Sequence, residues 1–151
     1  MKENIVIITG HGEYPQGVKS FIREVAGKLK NIYYINFIPI KGVEQLELEY
    51  INIIKENPNK GIIFICDIIG GTPFNKSVEI KYKMKNKNMF VISGANLAAI
   101  LECCLELQND SAENLSKLII ENTLDTVTLF EEKEINSHEI NILEGIDEDG
   151  I

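Results

Sequence analysis

Apolar residues fall along the chain in two rhythms. Unbroken apolar runs mark strands over 4–9, 32–38, 61–66 and 89–93, with Ile5-Val6-Ile7-Ile8 and Ile62-Ile63-Phe64-Ile65 as the purest. Continuous runs of this kind are expected where both faces of a sheet are covered. Between the runs the spacing turns helical. Val18, Phe21, Ile22, Val25 and Leu29 predict a helix that reaches about Lys30, with Pro15 in its first turn. Leu46, Tyr50, Ile53 and Ile54 predict a second over 43–56. A short helix opens at Pro73 or Asn75 and runs to about Lys83, and another over 97–107 is capped by Asn96. A further helix starts at Asp110 or Ser111 and runs to about Leu124. Strands that alternate with helices imply parallel pairing through right-handed crossovers. The expected fold class is therefore α/β, with helices on both faces of a parallel sheet of four strands. Thr126-Val127-Thr128-Leu129-Phe130 alternates and fits either a strand or continued helix. The acidic end, Asp147-Glu148-Asp149-Gly150, reads as frayed.

Composition narrows the classes. The 151 residues suit one domain, here placed over 1–131, with a C-terminal extension over 132–151. A formal net charge of -8 argues against a nucleic-acid binder, which needs a basic face. No run approaches the roughly 20 apolar residues of a membrane span. The N-terminus enters a strand without a signal-peptide layout, so a cytoplasmic location with no membrane insertion is expected. Cys66, Cys103 and Cys104 lack metal-ligand spacing and read as small apolar residues.

The candidate chemistry gathers at strand ends. His11 sits in Thr9-Gly10-His11-Gly12, directly after the first apolar run. Neutral imidazole is a nucleophile that titrates near physiological pH. Asp67 follows the third run and leads into Gly70-Gly71-Thr72-Pro73-Phe74-Asn75. In a parallel sheet both sites open at one carboxyl edge, where ligands bind. Asp67 could then hold one ring nitrogen of His11 and leave the other as nucleophile. The amides around Gly70 and Gly71, with the Thr72 hydroxyl, would offer donors to an anion at a helix start. The loop lacks a P-loop lysine, and Pro15 stands where a dinucleotide fingerprint needs its third glycine. His138 reads as a solvated tail residue, and Tyr14 as a lid, a partner contact or a plain surface aromatic. Lys81, Lys83, Lys85 and Lys87 read as a solvated connector.

Together, Ile8-Thr9-Gly10-His11-Gly12, Asp67 through Asn75, and Val91-Ile92-Ser93-Gly94-Ala95-Asn96-Leu97 resemble the IIA component of the mannose family of the bacterial sugar phosphotransferase system. The resemblance covers roughly 4–125. It implies an open three-layer sandwich with strand order 2-1-3-4 and a fifth, antiparallel edge strand exchanged between subunits of a homodimer. The segment near 126–130 is the candidate for that strand. The resemblance also implies that His11 accepts a phosphoryl group from the carrier HPr and passes it to a IIB component. Asp67 would orient His11. Gly10, Gly12, Gly70, Gly71 and Thr72 would bind the phosphoryl group, with no metal and no cofactor. No linker or second domain follows in this sequence, so a separate IIB chain is implied, with membrane IIC and IID components downstream. Two rivals share the architecture: the phosphotransfer subunit of a dihydroxyacetone kinase, and a receiver-like or regulatory module with Asp67 as acceptor.

Overall fold

A computed structural model describes residues 3–131 of the protein. Four strands, β1 (Asn4–His11), β2 (Ile32–Phe37), β3 (Gly61–Cys66) and β4 (Met89–Ser93), form one sheet. All three pairings are parallel and the strand order is β2-β1-β3-β4, as expected. The helices are α1 (Tyr14–Ala26), α2 (Val43–Glu56), α3 (Thr72–Met84), α4 (Leu97–Leu105) and α5 (Ala112–Thr126).

Side chains alternate across a strand, and here that alternation builds two cores. Val6, Ile8, Ile63 and Ile65 pack on one face with Val18 and Ile22 of α1 and with buried residues of α4 and α5. Ile5, Ile7, Ile62 and Phe64 pack on the other with Leu46, Tyr50 and Ile54 of α2 and Ile80 of α3. The result is a three-layer sandwich. The three cysteines are buried among apolar neighbours, and burial pushes the Cys66 and Cys103 thiols up to about 12.

One buried polar link ties β1 to α2. Thr9 Oγ1 donates to the Ile35 carbonyl at 3.0 Å, so its contact with the Tyr50 hydroxyl at 2.6 Å must have Tyr50 as donor.

The structure departs from the sequence reading at several element ends: β1 runs to His11 rather than ending at 9, and α4 ends at Leu105 rather than 107. The first helix stops at Ala26, because Gly27 turns the chain at φ 76°, although Leu29 continues the helical spacing. A single 3-10 turn over Pro39–Lys41 lies between β2 and α2. The alternating segment near 126–130 forms no strand within this chain: α5 extends through Thr126, and 127–131 carries no regular structure. Alternation alone cannot make a strand without a neighbour to pair with, and none is present among the described residues. The extension over 132–151, with His138, lies outside the described residues.

Candidate functional site

Strand order alone dictates where a site can form. The chain leaves β1 for β2 on one side and returns to β3 on the other, so the crevice between the carboxyl ends of β1 and β3 is a topological switch point. His11 is the last residue of β1, and Asp67 follows the last residue of β3.

The two meet directly. Asp67 Oδ2 accepts from the His11 backbone amide at 2.7 Å and faces His11 Nδ1 at 2.8 Å. Its other oxygen accepts from the Ile68 amide at 2.8 Å. Burial pushes the Asp67 carboxyl up, but the hydrogen bonds from the His11 amide, the His11 ring and the Ile68 amide together hold it below the usual carboxylate range. An ionised acceptor requires a hydrogen on Nδ1, which leaves the Nε2 lone pair free in the neutral ring. The imidazole is half exposed, 48% against 15% for Asp67, and Nε2 makes no hydrogen bond among the described residues.

The neighbouring residues fix the ring. Phe37, opposite His11 in the β1–β2 register, meets it edge-on with centroids 5.6 Å apart. The Phe37 carbonyl accepts from the Gly12 amide at 2.9 Å, and Gly12 turns the chain at φ 56°. With that amide engaged, Gly12 acts here by permitting the turn rather than by offering its N–H to a phosphoryl group. Gly10 acts by its missing side chain. A Cβ there would stand 2.6 Å from Tyr14 Cδ1 and 2.8 Å from Asp67 Cγ, so only glycine lets the carboxylate slide against β1. Gly71 also acts by its missing side chain, since a Cβ there would stand 2.9 Å from His11 Cε1.

Cε1 is bonded to both ring nitrogens, so Gly71 brings the start of α3 against that edge of the ring. The amides of Thr72 and Phe74 lie in the first turn of α3, where helix geometry supplies no internal acceptor. The helix dipole adds positive potential there. Asn75 Nδ2 braces the loop by donating to the Gly70 carbonyl at 2.8 Å. Tyr14, the first residue of α1, is half-buried and packed against the core. Burial, with Asp67 nearby, pushes its hydroxyl up to about 12.

The surroundings are apolar in a way the sequence reading did not single out. Ile38 and Ile40 after β2, and Ile68 and Ile69 after β3, are 42%, 93%, 56% and 73% exposed. Lys41 steadies the loop that carries the first pair, donating to the Asn36 carbonyl at 3.0 Å and to Glu49 at 2.6 Å. A run of exposed isoleucines on one edge suits contact with another macromolecule.

Fold and site together define a parallel α/β protein with a carboxylate-oriented histidine at its switch point. Comparisons with known proteins then place it. The family model described as PTS system fructose IIA component, EIIA-man, matches residues 5–120. The fructose-specific EIIA component of Bacillus subtilis is 31% identical over 98 residues, covering 64% of this chain and 66% of that protein. The sorbose-specific EIIA component of Lacticaseibacillus casei is 27% identical over 110 residues, covering 73% of this chain and 78% of that protein. Among solved structures, the EIIA component from Streptococcus agalactiae superposes with a TM-score of 0.76 at 27% identity, covering 83% of this chain and 96% of the other. The chain belongs to the mannose-type EIIA family of the phosphotransferase system. Membership supports a phosphotransfer role in sugar uptake. No helix among the described residues is long and apolar enough to cross a membrane.

Proposed function

We propose that the chain is a phosphohistidine carrier, with His11 as phosphoacceptor. The single observation that carries this reading is the 2.8 Å contact between His11 Nδ1 and Asp67 Oδ2 in a half-exposed ring whose Nε2 has no hydrogen bond among the described residues. In this reading phospho-HPr docks on the isoleucine-rich edge and presents its phosphohistidine to Nε2. The Nε2 lone pair attacks phosphorus in line. The bond from phosphorus to the donor nitrogen breaks, and its electron pair returns to that nitrogen. Asp67 stabilises the positive charge that grows on the attacking ring and keeps the proton on Nδ1. The amides of Thr72 and Phe74, with the Thr72 hydroxyl and the backbone at Gly70 and Gly71, receive the phosphoryl oxygens. Gly10 and Gly12 shape the pocket around them.

The second half-reaction reverses these roles. A histidine on a IIB component attacks phosphorus, and His11 leaves with its electron pair. Transfer between two imidazoles needs little driving force, so positioning and charge stabilisation dominate. Pairing with membrane-bound IIC and IID components, dimerisation and a cytoplasmic location belong to the same proposal.

The receiver-like alternative is disfavoured by the burial of Asp67 under His11, since both its oxygens already accept hydrogen bonds. The test is phosphoryl transfer from phosphoenolpyruvate through enzyme I and HPr. Acid-labile label should appear on His11 and pass to a IIB protein, and a His11→Ala variant should take none. Alkali-labile label on Asp67, or label on the His11→Ala variant, would overturn the reading.

A further inference from the structure

A second site is outlined far along the chain fold from His11. Between α1 and β2 a recess of about 410 Å³ opens toward the amino end of the sheet. Its volume is in the range that holds a small organic ligand. The floor is apolar and aromatic: Ile22, which is buried, with Leu29, Ile32 and the half-buried ring of Tyr34. Gly27 passes the rim at φ 76° and contributes no side chain that would fill the space.

The rim of this recess is cationic. The protein carries a formal net charge of -8, yet Lys19, Arg23 and Lys28 all line the recess and no acidic side chain does. None of the three recess cations is in an ion pair among the described residues, so each is free to meet an anion. Arg23 lies in the last turn of α1, where a cation also offsets the helix dipole. Lys19 lies a turn further in, and its Nζ sits over the Tyr34 ring at 5.6 Å. Burial pushes the Tyr34 hydroxyl up to about 12, so it remains a hydrogen-bond donor at any physiological pH.

An apolar floor under unpaired cations and a neutral hydroxyl donor suits one chemical class. We infer that this recess binds a small organic anion, with its apolar or ring body against Ile22, Ile32 and Tyr34 and its phosphate or carboxylate between Lys19 and Arg23. The site is independent of the chemistry at His11 and opens toward the opposite edge of the sheet, so an occupant could regulate the protein without blocking the histidine.

The experiment titrates the full chain with 1-naphthyl phosphate, followed by amide chemical shifts and calorimetry. Two single-feature probes, 1-naphthol and inorganic phosphate, are titrated alongside. The expected result is saturable binding below about 1 mM, with shifts clustered at Gly27, Leu29 and Tyr34. Each single-feature probe should bind at least about tenfold more weakly, and the double variant Lys19→Gln/Arg23→Gln should lose a similar factor. Both replaced side chains are exposed, so the variant keeps its fold, and Lys117→Gln serves as the control for a paired surface lysine. Shifts clustered at His11 and Gly71, equal binding of naphthol or inorganic phosphate, unchanged binding by the double variant, or no binding at that concentration would each overturn the inference.

Discussion

Gly71 and His11 are fitted to one another: a Cβ on Gly71 would stand 2.9 Å from His11 Cε1 and 3.0 Å from Ile68 Cγ2. The φ of Gly71 is -69°, which any residue adopts, so the requirement is for space rather than for backbone freedom. Gly71→Ala should therefore fold normally and push the imidazole away from the start of α3. The expected outcome is an unchanged thermal midpoint and phosphoryl acceptance lowered by about tenfold or more, because small misplacements at a reacting centre cost heavily. Wild-type acceptance rates in this variant would contradict the fit.

Asp67→Asn keeps the shape of the site and removes the charge. Loss of an ionised orienting partner should lower acceptance by about 100-fold, measured as the rate of label transfer from phospho-HPr. Stability gives a separate signature. The folded carboxyl lies below its ordinary value of 3.8, so its contribution is fully present above that pH and is lost as pH falls through the depressed value. The gap in urea midpoint between wild type and Asp67→Asn should thus be constant near neutrality and close below about pH 4. A gap that stays open in acid would contradict the assignment.

Tyr50→Phe removes the hydroxyl that donates to Thr9 in a fully buried setting. Thr9 still donates to the Ile35 carbonyl, so one buried acceptor loses its partner. Chemical denaturation should show a loss of about 1–2 kcal/mol. A neutral result would mean that the pair adds nothing to the joint between β1 and α2.

The exposed isoleucines offer a test of docking apart from chemistry. Ile40→Asp with Ile69→Asp changes two side chains that are 93% and 73% exposed, so the fold should be retained. Transfer should require about tenfold more phospho-HPr to reach half its maximal rate, with that maximal rate little changed. A fall in the maximal rate alone would place these residues in the chemistry rather than in recognition.

Much of this architecture was legible in the chain, for identifiable reasons. Ile5 through Ile8 and Ile62 through Ile65 are apolar without a break because helices cover both faces, and that pattern marks the central strands of a parallel sheet. The second helix matched residue for residue over 43–56, where Gly42 and Asn57 flank an uninterrupted stripe. Placing His11 beside Asp67 needed only the strand ends. What needed the third dimension was register and space. Phe37 reaches the His11 ring only because the two are opposite one another across β1 and β2. Gly10 lies inside β1 and serves as a gap for Asp67 and Tyr14, neighbours that only the folded chain brings to it. The exposed isoleucines are scattered over two loops and gather at one edge only once the sheet forms.

The most direct measurement of the central claim is mass-spectrometric mapping of the chain after incubation with phosphoenolpyruvate, enzyme I and HPr, with acid and alkali stability scored on the modified peptide. Label confined to His11, lost in acid and retained in alkali, is the predicted result. An unmodified His11 in the presence of fully phosphorylated HPr, or an alkali-labile label elsewhere, would contradict the account.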